Sequence, residues 1–184
     1  MTEDFDPAQL DPDECEEIEA QIPVISAAWR FITPALLDHD LVAAWPAVDP
    51  DLRLCWAQAW LDLHRSDAAA DGYDLDEVAL AITDDAPSHP LWPHFSRVLL
   101  RDLHSVADID PDTWGIGGNA RLLAVDTELL YLQEKTGLEG GVWQPGQERF
   151  VVPVVMRLAD DQWRVLNFGS ETIPTSGWPP TLHV

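Results

Sequence analysis

The chain has 184 residues, a length suited to one domain, and 46% of them are hydrophobic, as in ordinary globular proteins. Its 33 acidic and 10 basic residues give a net charge of −23. Phosphate contacts need clustered Lys and Arg, so this charge opposes direct binding to nucleic acid and favours a basic protein as partner. A merely solvated acidic surface, or mimicry of nucleic acid, would account for the same charge.

The cellular compartment can be inferred from the number of cysteines and from the length of the apolar stretches. The two cysteines, Cys15 and Cys55, cannot supply a disulfide framework, and their plain interpretation is packing. No signal peptide and no run of about 20 apolar residues is apparent. We therefore expect a cytoplasmic protein that does not bind a membrane.

The first hundred residues carry the pattern of helices. Asp11 and Pro12 suit a helix start, and apolar residues then recur at helical spacing to Leu36. Pro23 predicts a kink or a split in this helix, and Pro34 predicts a kink or its end. Further helices are predicted at residues 41–45, 49–64, 74–82 and 90–104, and a loop at 66–73.

The second half changes to the alternation of strands. We predict strands at residues 121–133, 149–158 and 163–168, a loop at 134–147 and a hairpin turn at 159–162. Pro153 predicts that the middle strand is an edge strand or has a bulge there. The predicted fold is α+β, with N-terminal helices packed on a curved antiparallel sheet of about four strands. We expect residues 1–184 to form one domain, with 1–10 flexible and 170–184 as an extended arm.

Three stretches resemble the nuclear transport factor 2-like superfamily of α+β cones, which includes ketosteroid isomerases and polyketide cyclases. They are residues 27–31 with 38–45, where a long helix meets an acidic turn and a second helix, then 121–131, and the closing hairpin 154–168. The resemblance implies a cone-shaped pocket with inward carboxylate, His or Tyr side chains. It also implies a homodimer through the sheet, and it allows enzymes and binding modules alike.

Three carboxylates are the catalytic candidates if the protein is an enzyme. The resemblance places Asp40 near the mouth of the cone. Asp126 and Glu128 share one strand face with Leu122 and Leu130, and on an inward apolar wall their pKa values would rise, so that one could act as a base. In the alternative, the opposite strand face is buried and both acids are solvated.

Ligand-binding candidates are Tyr131, Asn167 and Trp163, because an inward Asn or Tyr can donate to a ligand oxygen. Each has a structural alternative, which is a backbone partner for the Asn and core packing for the aromatic rings. Trp92, Trp143 and Trp178 lie beside Pro or Gly and are candidates for an interaction surface. Alternatively, they fasten loops onto the body of the protein.

Cofactor motifs are lacking. The six histidines show no zinc-ligand spacing, and no Ser-His-Asp or Cys-His grouping has a recognisable context. Residues 115–120 spell G-x-G-x-x-A, but the strand and helix that a dinucleotide site requires do not flank them. We predict neither a metal nor a cofactor.

Two functions of different classes fit these observations. The first is a non-catalytic acidic binding module, of the kind that antitoxins and immunity proteins represent. The second is a small-molecule enzyme of the isomerase or cyclase type that uses Asp40 or Asp126 as a base. A deep apolar pocket with two inward carboxylates would favour the enzyme, whereas a filled cone and an exposed aromatic and acidic patch would favour the module.

Overall fold

A computed structural model describes residues 12–106, 109–110, 113–116, 121–134 and 150–182, with side chains from residue 19 onward except at residue 69. The predictions made for residues 1–10, Asp11 and Trp143 lie outside these ranges, as does nearly all of the loop predicted at 134–147.

Six α-helices form the first part of the described chain. They are α1 (Pro12–Ile32), α2 (Leu41–Ala44), α3 (Pro50–Leu63), α4 (Arg65–Ala70), α5 (Leu75–Thr83) and α6 (Trp92–Val106). A π-helical turn, Thr33–Leu37, joins α1 to α2, and a 3-10 turn, Trp45–Ala47, follows α2. The expected helices at 41–45, 49–64, 74–82 and 90–104 are confirmed. Asp49 and Asp74 cap α3 and α5 by accepting hydrogen bonds from backbone N–H groups, which explains why those helices begin there.

Proline has different effects at two positions of the first helix. Pro23 lies inside α1 without dividing it, so the split considered at this residue does not occur. Pro34 coincides with the change from α to π geometry, in which the Asp38 N–H donates to the Thr33 carbonyl at 3.1 Å. Proline removes a helical donor and crowds the preceding turn, which favours a wider turn at this point.

One 19-residue helical stretch, Glu19–Leu37, is long and apolar enough to cross a membrane. The expectation that no stretch approaches this limit is therefore wrong. The core helix of a soluble protein passes the same test, and Ala27, Phe31 and Ile32 within the stretch are fully buried against the rest of the chain. The fold is of a soluble α+β type.

The loop predicted at residues 66–73 is wrong in its first half, where α4 forms instead. Three consecutive alanines, residues 68–70, have the highest intrinsic helix propensity, and Asp67 lies in the first turn, where a negative charge is favourable. The chain then turns at Gly72, whose φ of +78° is one that other residues rarely adopt.

In the described part of the chain, five antiparallel strands form a curled sheet. They are β1 (Trp114–Ile116), β2 (Arg121–Ala124), β3 (Thr127–Glu134), β4 (Val151–Ala159) and β5 (Gln162–Phe168). The order is β1-β3-β4-β5, and β2 also pairs with β3. This confirms the predicted α+β class, with helices first and an antiparallel sheet last.

The single strand predicted at 121–133 is wrong. A tight turn at Val125 and Asp126 divides it into β2 and β3, which pair with each other. The turn contains neither Gly nor Asn, so the usual hairpin signal is missing from the sequence. The hairpin turn predicted at 159–162 is confirmed, with φ values of +51° and +59° at Asp160 and Asp161.

Pro153 lies in a central strand, because β4 pairs with both β3 and β5; the expected edge position is therefore wrong. A bulge is present, but between Val155 and Met156. The Pro153 carbonyl accepts from the N–H of Gly169, one residue beyond the end of β5. Pro153 therefore lies opposite the end of β5. The hydrogen bond that its missing N–H cannot make is one at the end of a strand pair, where such a loss destabilises the sheet least.

Both faces of the sheet carry packed apolar side chains. Leu130, Leu132 and Val154 are fully buried in the main core with the helices. On the opposite face, Leu129, Val155 and Leu166 form a second, smaller cluster, against which Leu123 and Tyr131 pack.

The C-terminal segment, residues 170–182, runs back over the helices. The N–H of Gly177 donates to Gln58 Oε1 at 2.9 Å, and the indole N–H of Trp178 donates to Asp76 Oδ1 at 2.7 Å. Thr175 and Thr181 pair through two backbone hydrogen bonds, which close the segment into a loop. These contacts fasten the end of the chain to α3 and α5.

Candidate functional site

The three candidate carboxylates have separate surroundings. Asp40 accepts a hydrogen bond from the Ala43 N–H at 3.0 Å and so caps α2. Asp126 is exposed in the β2–β3 turn and accepts from the Thr127 hydroxyl at 3.0 Å. Glu128 lies half-buried on the side of β3 that bears Leu130, and burial raises its pKa. No hydrogen bond between described residues joins any two of the three carboxylates, and only Glu128 lies on the helix-facing side of a strand.

Two of the proposed ligand-binding residues hold the C-terminal segment. The Tyr131 hydroxyl donates to Glu171 Oε1 at 2.8 Å, and this hydrogen bond, then burial, raises the pKa of the tyrosine. Asn167 is buried; its amide donates to the Thr172 carbonyl at 2.7 Å, and its oxygen accepts from the Phe168 N–H at 2.9 Å. These polar groups are therefore satisfied within the chain. Trp163 is half-buried and packs against the main core.

Two of the three tryptophans proposed for an interaction surface, Trp92 and Trp178, are described, and both pack onto the protein. Trp92 is buried, and its ring meets that of Trp45 edge to face at a centroid distance of 5.0 Å. Trp178 is half-buried, and Arg65 lies 5.5 Å from its ring centroid. These contacts correspond to the alternative interpretation, in which loop tryptophans fasten segments to the body.

A cleft of about 180 Å³ lies at the junction of α3, α4 and the start of α6. It is lined by Trp60, Leu61, His64, Asp67, Ala68, Asp71, Tyr73, Leu91 and His94. Sequence reasoning missed this group because its members come from separate helices. A signal was present only in the pairs spaced by one helical turn, Trp60 with His64 and Asp67 with Asp71.

One wall of the cleft is aromatic. The Trp60 ring lies 4.9 Å from that of His64 and 5.7 Å from that of His94, between centroids, and the two imidazoles are 5.8 Å apart. The His64 Nδ1 atom lies 2.8 Å from the Trp60 carbonyl oxygen. A carbonyl oxygen can only accept, so Nδ1 carries the proton and the lone pair of the neutral ring is on Nε2.

The rim of the cleft is acidic. Asp67 and Asp71 are exposed and lie one helical turn apart, with the Asp71 N–H donating to the Asp67 carbonyl at 3.0 Å. Among the described residues that line the cleft there is no Arg or Lys. The cleft therefore combines aromatic side chains with two exposed carboxylates, an arrangement that attracts cations.

Nucleophilic and metal chemistry receive no support from the described residues. Burial, and then the charges of Asp51 and Asp49, raise the pKa of the Cys55 thiol to about 11 from an ordinary 9.0, so the reactive thiolate is scarce at neutral pH. Within the described ranges no three His, Cys, Asp or Glu side chains are grouped closely enough to hold a metal ion.

No protein family, characterised protein or solved structure matches the chain. The likeness to the nuclear transport factor 2-like superfamily therefore stays a prediction from the sequence.

Proposed function

We propose that this chain is a non-catalytic binding module whose acidic surface recognises a basic protein in the cytoplasm. The observation that carries the proposal is that arginines of this chain are already paired with its own carboxylates. Five of the arginines in the described part of the chain form ion pairs with its own carboxylates: Arg53, Arg65, Arg101, Arg121 and Arg157. With only 10 basic residues against 33 acidic ones, the surplus negative charge is left for solvent or a partner.

Electrostatic complementarity supports a basic macromolecule as the partner. Opposite charge speeds association and selects against acidic competitors, including nucleic acids and anionic membranes. The module class includes antitoxin-like and immunity-like proteins, in which an acidic surface blocks a basic one. The resemblance to the superfamily adds a homodimer to the proposal.

The contacts of the candidate site residues favour a module over an enzyme. Asp40 serves as a helix cap, Asp126 lies in an exposed turn, and Tyr131 and Asn167 hold the C-terminal segment. A cleft of about 180 Å³ is also smaller than the roughly 300–1,000 Å³ of sites for small-molecule ligands.

The test is capture of partners from a lysate of the source organism on the immobilised full-length chain. An unrelated protein of similar negative charge, immobilised at the same density, is the control bait. We expect a discrete basic protein to be enriched on the chain over the control and to be released by high salt. Equal recovery of basic proteins on both baits would contradict specific recognition.

One observation favours the alternative, a small-molecule isomerase or cyclase. Glu128 is half-buried, makes no ion pair with a described residue and has a raised pKa, as a general base requires. A catalytic role for Glu128 predicts that Glu128→Gln abolishes turnover in a screen of cyclic ketones and polyketide-like substrates. Binding of a basic protein by the same variant at unchanged affinity would separate the two functions.

A further inference from the structure

The cleft between α3, α4 and α6 has the components of a site for a guanidinium group. Its walls include the rings of Tyr73, His64 and His94 beside the buried Trp60, and its rim carries the carboxylates of Asp67 and Asp71. A planar cation stacks on ring faces and forms charge-assisted hydrogen bonds with carboxylates. The cleft holds both kinds of group, and its described lining residues include neither Arg nor Lys.

The same combination already binds arginine twice inside this protein. Arg53 lies 5.5 Å from the Trp45 ring centroid and donates to Asp85 at 2.6 Å. Arg65 lies 5.5 Å from the Trp178 ring centroid, and its Nη2 donates to Asp62 at 2.7 Å. In each case an arginine joins a tryptophan face to a carboxylate. The cleft brings the carboxylates of Asp67 and Asp71 together with the rings of Tyr73 and of the buried Trp60, and its described lining residues include no arginine.

We propose that this cleft receives an arginine side chain of a basic protein partner. The inference rests on the proposed function, since that function supplies a partner rich in cationic side chains. The volume of about 180 Å³ suits one side chain better than a whole small-molecule ligand. Arginine is preferred over lysine because its planar group stacks on rings and can bind two carboxylate oxygens at once.

The test is a nuclear magnetic resonance titration of the full-length, 15N-labelled chain with the blocked peptide Gly-Arg-Gly. Gly-citrulline-Gly is the neutral isostere, Gly-Lys-Gly tests the preference for a planar cation, and agmatine supplies the guanidinium without a peptide. We expect saturable shifts of the Trp60 indole signal and of the backbone amides at residues 64–73. Gly-citrulline-Gly should produce no saturable shift, and Gly-Lys-Gly should bind several-fold more weakly than Gly-Arg-Gly.

Two double variants separate the effect of the carboxylates at the cleft from the effect of the net charge of the protein. Asp67→Asn with Asp71→Asn removes two negative charges at the cleft, whereas Asp160→Asn with Asp161→Asn removes two at the β4–β5 turn. The turn follows Arg157, which contacts the N-terminal end of α3, and the cleft lies at the other end of that helix, about 20 Å away. Asn also tolerates the positive φ of the turn.

The cleft variant should weaken binding of Gly-Arg-Gly about tenfold, the effect of losing a charge-assisted contact, and the turn variant by less than about threefold. Equal weakening by both, or equal binding of citrulline, would overturn the cleft site. Tighter binding of agmatine than of the peptide would assign the cleft to a free guanidinium compound and so overturn a protein side chain as its occupant.

Failure of this inference can be told apart from failure of the proposed function. If the lysate capture yields a basic protein but the peptide does not bind at the cleft, the function stands and the cleft assignment falls. If the peptide binds at the cleft but no basic protein is captured, the cleft is a guanidinium site and the proposed function falls.

Discussion

Arg157 of β4 forms a two-pronged ion pair with Asp49, the residue that caps α3. The Arg157 Nε donates to Asp49 Oδ2 at 2.8 Å, and its Nη2 donates to Oδ1 of Asp49 and also to Asp51 at 2.8 Å. Asp49 is fully buried, and its backbone N–H donates to the Val165 carbonyl at 2.9 Å. The start of α3 is thus tied to the sheet by both side chain and backbone, which holds the helices in place on the strands.

Replacing Arg157 by methionine should destabilise the protein strongly. The substitution keeps much of the side-chain length but leaves the Asp49 carboxylate buried without its cation, which costs about 3–5 kcal/mol. Urea denaturation followed by circular dichroism measures the loss. The control is Arg101→Met, because the pair of Arg101 with Asp102 is exposed and contributes about 0–1 kcal/mol. Equal losses in the two variants would show that the Arg157 pair adds nothing beyond a surface ion pair.

Glu128→Gln should stabilise the folded protein at neutral pH. Burial raises the pKa of Glu128, so the folded state binds a proton there more tightly than the unfolded state. At a pH above the folded-state pKa, the ionised carboxyl therefore lowers the stability of the protein. This penalty vanishes as the pH falls below the ordinary pKa of a glutamate. The gain in the free energy of unfolding should shrink between pH 7 and pH 4, measured by urea titration at each pH. Glu134→Gln, at the exposed end of the same strand, is the control. A gain that grows with acidity would have the wrong sign.

Cys55 should react slowly with thiol reagents while the protein is folded. A pKa of about 11 instead of 9.0 reduces the thiolate fraction at pH 8 by roughly a hundredfold, and burial restricts access further. A Cys15→Ser variant leaves one thiol to follow with a chromogenic disulfide reagent. Unfolding in urea should restore the rate of a free cysteine. Rapid labelling of the native protein would contradict the buried position.

Trp178 should contribute to stability through both its ring and its N–H group. Trp178→Phe keeps most of the packing and loses the hydrogen bond to Asp76, which should cost about 1 kcal/mol. Trp178→Ala also loses the packing and the contact with Arg65, and should cost about 2–3 kcal/mol, less than a fully buried Trp. In thermal denaturation, the unfolding midpoint should be lower for Trp178→Phe than for the unchanged protein, and lower still for Trp178→Ala. An unchanged midpoint in Trp178→Ala would mean that the C-terminal segment does not hold the helices.

Local signals predicted the parts of the fold that depend on local sequence. The helix starts at Asp49 and Asp74 and the hairpin turn at residues 159–162 each follow from a few neighbouring residues, and the structure shows them there. The β2–β3 turn at Val125 lacked such a signal and was missed. Helix α4 was missed because the Asp and Gly around three alanines resembled a loop.

Long-range contacts set the parts that the sequence did not predict. Tyr131 and Asn167 looked like inward ligand contacts, but their partners, Glu171 and Thr172, arrive with the C-terminal segment. The cleft joins Trp60 to His94, which lies more than 30 residues further along the chain. Periodicity within one element does not show which faces of two distant elements will meet.

The most direct test of the acidic module is the salt dependence of partner capture. The full-length chain is immobilised and exposed to the lysate at about 50, 150 and 500 mM salt, over which the screening length falls from roughly 14 to 4 Å. The proposal predicts one or a few basic proteins that bind the chain, but not an equally charged control bait, and that are progressively lost as salt rises. Capture of no basic protein above the control at the lowest salt would contradict it.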